Sequence, residues 1–320
     1  MKIAYFDCGY GAAGDMLLGA LISAGLPVKP WLKELDKIAL PPGSFKIEIS
    51  DVMRCSLAAK KVDVHYEKYH SHGYEDSHSH EHSLEHTHSH DGEHSHSHDD
   101  HHGHDHEHVH SHEDGHSHAH SHTDSPDHSH QHEHDRNLPE VLRIITASEI
   151  TPMAKELASK IFTTLGEAEA KVHGTTVDKV HFHEVGAVDA IIDIVGFAIA
   201  YDMMQIESST VSPLPVGSGK VQSAHGWFPV PGPAVLNILA NAGVPIASAP
   251  FKHECLTPTG AAILCTVAKE AAPMPSMTIS NTGYGAGTFN PNGFPNVCRV
   301  IIGDAIELAP TKLESRLAIV

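Results

Sequence analysis

The chain opens on a short apolar run, Ile3-Ala4-Tyr5-Phe6, that ends at Asp7-Cys8 and reads as a strand. After a glycine-rich step, residues 15–22 carry apolar side chains at helical spacing, and Gly25 and Pro27 close that helix. A second helix is predicted over residues 31–38, stopped by Pro41-Pro42. Residues 45–52 and 59–66 alternate apolar and polar positions, the signature of half-buried strands. Helical spacing returns over residues 138–149 and 152–173, the second with Thr151 as N-cap before Pro152 and Gly174 as its stop. Val180-His181-Phe182-His183 alternates again, which on a strand puts both histidines on one face and Phe182 toward the core. From Ala187 to residue 204 the spacing is helical, with Asp189 and Asp193 four apart on one side. Past Thr210 the texture becomes short strands and turns marked by Pro and Gly, with His225-Gly226 in a loop. Short helices are predicted over 233–240 and 261–270, the latter capped by Thr257 or Thr259. Residues 277–284 and 296–302 flank a Gly/Asn/Pro-rich turn as a hairpin. The fold class is α/β, mixed strands and helices.

One stretch breaks the pattern. Residues 70–134 hold 26 of the 32 histidines, and Leu84 and Val109 are the only larger aliphatic side chains there. Such a segment buries too little apolar surface to offset its ordering entropy and is expected to be disordered. The expected organisation is therefore an N-terminal α/β part (1–69), a His-rich metal-binding insertion (70–136), a continuation of the α/β core (137–304) and a tail (305–320). The same stretch carries 15 acidic residues and no Lys or Arg, so the formal charge of −19 is mostly local. Outside it 25 acids face 21 bases, which leaves no basic footprint for nucleic acid. The five cysteines form no C-x-x-C pair, which points to reduced thiols and a cytoplasmic protein. No signal peptide or membrane-length apolar run is present, so no membrane partner is expected.

Candidate chemistry concentrates in few places. The alternating imidazoles of the tract, among them His94, His96, His98, His101, His102, His104, His106 and His108, suit borderline divalent ions such as Ni, Zn, Cu or Co. His181, His183 and Glu184 gather at a strand-turn-helix step and are read either as metal or catalytic groups or as hydrogen-bonded core histidines. Gly9-x-Gly11-x-x-Gly14 matches the dinucleotide fingerprint in letters only, because the acidic residues about 20 positions on, Glu34 and Asp36, fall in a predicted helix rather than at a strand end. What remains is a helix start able to hold a phosphate or carboxylate, with Asp7 and Asp15 nearby as cation ligands, or simply a tight turn. Thr257, Thr259 and Gly260 open another helix in the same way. Gly217-Ser218-Gly219-Lys220 is not a P-loop, since Leu214 and Val221 stand where that motif needs Gly and a hydroxyl.

Several of these motifs occur together in one family. Phe6-Asp7-Cys8, Gly14-Asp15-Met16-Leu17-Leu18-Gly19-Ala20-Leu21, His181-Phe182-His183-Glu184-Val185-Gly186-Ala187, Asp193-Ile194-Val195-Gly196, Ala224-His225-Gly226 and Thr257-Pro258-Thr259-Gly260-Ala261 resemble the LarC family of nickel-insertion proteins. The resemblance implies a metallochelatase that inserts Ni(II) into pyridinium-3,5-bisthiocarboxylic acid mononucleotide, ending the synthesis of the nickel-pincer cofactor of lactate racemase. It implies dependence on CTP with Mn(II) or Mg(II); a homo-oligomer is expected besides. It also implies that this chain is an N-terminal portion, to be joined by a C-terminal CTP-binding domain or partner. Loss of the ring proton calls for a base with a pKa near neutrality, and His181 or His183 is the expected one, with Glu184 a ligand or orienting group and His225 a metal ligand. The Gly9, Gly11, Gly14 and Asp15 loop and the Thr257, Thr259 and Gly260 helix start are the candidates for the precursor's phosphate. Gly9-Tyr10-Gly11-Ala12-Ala13 departs from the bulky-Ser-Gly pattern usual before Gly-Asp-Met. Two other readings remain: a non-enzymatic nickel store or chaperone acting through the tract, and a nucleotide-binding α/β enzyme with an incidental insertion.

Overall fold

A seven-stranded mixed sheet carries the molecule, and its strands come from both ends of the chain. The computed structural model describes residues 1–66, 136–182, 187–223 and 226–306. In chain order the elements are β1 (Lys2–Asp7), α1 (Gly14–Ser23), α2 (Val28–Leu35), β2 (Phe45–Arg54), β3 (Leu57–Tyr66), β4 (Arg136–Asn137), α3 (Leu138–Ala147) and α4 (Pro152–Val172). They continue with β5 (His181–Phe182), α5 (Val188–Met203), β6 (Ser208–Val211), β7 (Leu214–Pro215), β8 (Lys220–Ser223), β9 (Gly226–Pro229) and α6 (Pro233–Ala242). The last are β10 (Ile246–Ala247), α7 (Pro258–Val267), β11 (Ala268–Ala271), β12 (Met277–Ala286) and β13 (Val297–Ala305). The sheet order is β11-β6-β1-β13-β12-β3-β2. The α/β class expected from the sequence is therefore the class observed.

Pairing follows chemistry. β2 and β3 form a long antiparallel ladder from Phe45↔Tyr66 to Arg54↔Leu57, matching their alternation. β12 and β13 pair antiparallel as the predicted hairpin, and β13 also pairs antiparallel with β1. β6 lies parallel to β1 on its other side. The core sits where helices cover this sheet. α1 is buried at Gly14 and from Met16 through Ile22, as expected of a helix apolar on all sides. It lies on the sheet backbone to backbone: a Cβ at Gly285 of β12 would overlap the Met16 carbonyl oxygen, so only glycine permits that approach. α5 is equally apolar, and Trp31, fully buried, donates its indole N–H to the Gly196 oxygen at 2.9 Å. Asn137 and Glu140 form a reciprocal capping box at the start of α3, each at 2.9 Å.

Three expectations need correction. The helix predicted at 31–38 is α2, which starts earlier at Val28, because Pro27 supplies its N-cap and Trp31 its buried face. The helix predicted to reach residue 270 ends at Val267, and Ala268–Ala271 pairs instead with β6. Tertiary pairing there overrides the helical propensity of Ala and Lys. The strands and turns expected past Thr210 are present as the β8–β9 hairpin, but Gly226, expected in a loop with His225, opens β9 and pairs with Ser223.

Candidate functional site

The loop that leaves β1 is drawn to the segment that starts α7. Gly11 N–H donates to Cys8 O at 2.7 Å and makes the turn. Ala12 N–H then donates to Cys255 O at 2.8 Å, and Thr257 N–H donates to Ala12 O at 3.1 Å. Gly11 has φ +120°, and a side chain there would run into the Cys255 carbonyl. A Cβ at Gly260 would likewise overlap the Ala12 oxygen. These glycines exist for close backbone approach, which accounts for the incomplete dinucleotide fingerprint. The structure thus joins the two segments nominated separately for a phosphate.

Of the two threonines, Thr257 is the cap: its Oγ1 accepts from Gly260 N–H at 3.2 Å. Thr259 Oγ1 lies 2.9 Å from Thr257 Oγ1 and buttresses it. Rings crowd the same corner. Tyr10 stacks parallel to Phe294 with centroids 6.3 Å apart, and His253 lies nearly parallel to Phe294 at 6.1 Å. Phe251 sits 4.4 Å from Phe294, and Phe289, 54% exposed, packs 4.7 Å from His253. Burial lowers the His253 pKa, which keeps the ring neutral at physiological pH. Burial, and secondarily Glu254, pushes the Cys255 thiol up to about 11, so it stays protonated.

Behind the loop lies a set of carboxylates. Asp15 opens α1 and accepts from Met16 N–H at 2.8 Å. Asp193 reaches from α5 against Gly14, whose missing side chain makes the room. Asp193 Oδ1 is sealed from solvent and accepts no hydrogen bond. Burial above all, with Asp15 and Asp189 adding like charge, holds Asp193 well above the usual carboxylate range. Asp15 keeps a partial opening to solvent, yet burial pushes its carboxyl up to about 6. Lys61 is ion-paired with Asp63 on β3. Asp7 forms an ion pair with Arg299 across β1 and β13, so it is not a bare cation ligand.

His181 is exposed on β5, opposite Asn137, while Phe182 is buried against Phe162 with ring centroids 6.4 Å apart. His183, Glu184, His225 and the tract histidines lie outside the described residues. A cavity of about 120 Å³ opens beside the β8–β9 hairpin, lined among others by Glu169, His173, Glu254 and Pro258. His173 Nε2 is 3.7 Å from Glu169 Oε2, an i, i+4 pair that sequence reasoning passed over although its spacing was visible. Asp193 was noticed in its motif but not nominated. Its signal was a carboxylate inside the apolar run 191–195. Among the described residues no group of three His, Cys, Asp or Glu is placed to hold a metal ion. All five cysteines are free, with Cys8 and Cys298 Sγ atoms 3.8 Å apart. No helix among the described residues is long and apolar enough to cross a membrane.

Comparison with known proteins adds to this geometry. Residues 4–318 match the model of a family described as nickel insertion protein. A putative nickel insertion protein of Dictyoglomus thermophilum is 36% identical over 307 residues, covering 96% of this chain and 62% of the relative. The pyridinium-3,5-bisthiocarboxylic acid mononucleotide nickel insertion protein of Geobacillus kaustophilus is 36% identical over 314 residues, with 95% and 60% covered. Its namesake in Desulfitobacterium hafniense is 35% identical over 304 residues, with 95% and 59% covered. The chain spans about three fifths of the length of these curated relatives. No solved structure matches it.

Proposed function

Because this chain belongs to the nickel insertion protein family, we propose that it serves as a metallochelatase component that places Ni(II) into pyridinium-3,5-bisthiocarboxylic acid mononucleotide. The observation that carries this reading, beside the family match, is the convergence of the Cys8–Gly14 loop and the α7 start next to a cluster of aromatic rings of which Phe289 is exposed and Tyr10 and Phe294 half-buried. A mononucleotide with a cationic planar ring needs an anion cradle and a flat apolar face. At the α7 start Pro258 has no N–H and the Gly260 N–H is taken by the Thr257 cap, so Thr259 N–H, together with the Gly9–Gly14 loop, is offered for the first, and the rings of Tyr10, Phe289 and Phe294 supply the second by stacking and cation–π attraction. Gly9, Gly11, Gly14, Thr257, Thr259 and Gly260 are the residues assigned to the phosphate. His181, His183, Glu184 and His225 are assigned to the metal.

Ligand softness gives the direction of transfer. Imidazole nitrogen holds nickel at moderate softness, and the thiocarboxylate sulfurs of the precursor are softer, so movement from a histidine-rich store to the precursor is downhill. The tract at 70–136 is the store in this reading, inserted between the 1–69 and 137–304 parts of the fold. Dependence on CTP with Mn(II) or Mg(II), supplied through a further CTP-binding domain or partner, and delivery of the product to lactate racemase belong to the same proposal.

The test is direct. The purified chain combined with a CTP-binding partner and supplied with Ni(II), the precursor, CTP and Mn(II) should generate the absorbance of the nickel-bound product, and His183→Ala should slow it at least tenfold. Nickel bound tightly by the tract with no product formed, even with the CTP-binding partner added, would replace the chelatase by the storage reading.

A further inference from the structure

The precursor's ring needs more than a flat surface. Nickel held by sulfurs at ring positions 3 and 5 faces the carbon between them, and bonding to that carbon requires its proton to leave. The acceptor has to stand where the ring docks, on the face built by Tyr10, Phe289 and Phe294. Of the described side chains in ring contact with that face, His253 is the one whose ordinary pKa lies near neutrality.

The geometry fixes its place. The His253 imidazole lies 4.7 Å from the exposed Phe289 ring, tilted by 59°, and 6.1 Å from Phe294, tilted by 7°. A planar guest resting on these two rings therefore lies beside the imidazole, within about one ring's width of it. The backbone of His253 is held as well. Gly217, at φ +77°, approaches so closely that a Cβ there would overlap the His253 carbonyl oxygen, and the neighbouring Glu254 bridges Gly217 in antiparallel register. Two residues on, Cys255 O accepts from Ala12 N–H, so one held segment joins the imidazole to the phosphate loop. The ring itself touches Phe251, Phe289 and Phe294, and among the described residues no hydrogen bond engages Nδ1 or Nε2. Burial favours the neutral form, which carries the lone pair a base needs.

We propose that His253 accepts the ring proton as the nickel–carbon bond forms. This deepens the chelatase reading above and rests on it. In the step the C–H electron pair stays on carbon and becomes the Ni–C bond. The proton passes to an imidazole nitrogen of His253 and from there to solvent. Nickel remains Ni(II), so no oxidant or reductant is consumed. His181 and His183, the bases expected from the sequence, then keep the metal role alone.

The test follows a single turnover of precursor in the intact chain with its CTP-binding partner. His253→Phe keeps a ring in the aromatic cluster and removes the nitrogens. It should slow insertion about 10²–10⁴-fold. Precursor affinity should stay within about threefold, as expected when only a transition-state role is lost. Deuterium at the carbon between the two sulfurs should slow the variant further, because proton removal then limits the rate. Wild-type speed in His253→Phe overturns the proposal, and so does a slow variant insensitive to that deuterium. A loss of affinity as large as the loss of rate overturns it too, since it would make His253 part of the stacking face only. Should His253→Phe not fold, His253→Ala decides: a rate partly restored by added imidazole supports the assignment, and a rate left unchanged overturns it. A wild-type chain that inserts no nickel fails at the earlier reading, whereas normal wild-type insertion with an indifferent His253→Phe fails here alone.

Discussion

Gly11 shows how little space the loop allows. Its φ of +120° and the Cys255 carbonyl beside it forbid any side chain. Gly11→Ala should therefore cost about 1–3 kcal/mol for overpacking, added to the strain of the positive φ. Gly174 also has positive φ, +61°, but nothing lies within 4 Å of a Cβ there, so Gly174→Ala should cost only about 1 kcal/mol. Urea midpoints of the two variants measure the difference, and equal midpoints would mean that the Ala12–Cys255 contact contributes nothing. At this scale sequence reasoning located the glycines but not their purpose. Letters show that glycine is present, whereas the carbonyl it must avoid belongs to a strand-like segment far away in the chain. Asp193 was hidden for a related reason: its significance depends on Gly14, which no local pattern ties to it.

Local signals succeeded where the forces are local. The alternation of β2 and β3, the Thr151 cap and the turn of the β12–β13 hairpin all act within a few residues, and all were legible; the Asn137–Glu140 capping box is just as local but was passed over. The end of α7 was not, because β11 exists only by pairing with β6. The start of α7 was half legible: two threonines could cap it, and only the hydrogen bond to Gly260 N–H selects Thr257. Thr257→Ala should lose about 1 kcal/mol of stability, and Thr257→Ser should restore most of it. Thr259→Ala leaves the cap bond in place and should lose less than about 0.5 kcal/mol. It should nevertheless weaken precursor binding by calorimetry. Unchanged affinity would take Thr259 out of the phosphate cradle, leaving it as a prop for the cap.

On the scale of the molecule, the buried acids tie stability to pH. An acid whose folded pKa is raised stabilises the fold fully below its unfolded value, 3.8 for Asp15, and this contribution is lost as pH rises through about 6. Asp193 acts in the same direction, over a range extending to higher pH. The native state accordingly carries an unfavourable charge at neutral pH on α1, the helix packed most intimately on the sheet. Asp15→Asn should raise the melting temperature at pH 7.5 and give no gain at pH 4, where Asp15 is already protonated in the fold. Thermal unfolding of wild type and variant at the two pH values measures this. A gain of equal size at both would trace the effect to packing or hydrogen bonding rather than to charge. A gain confined to pH 7.5 would mean that Asp15 costs stability through its charge, as a buried carboxyl lifted to about 6 and then ionised must.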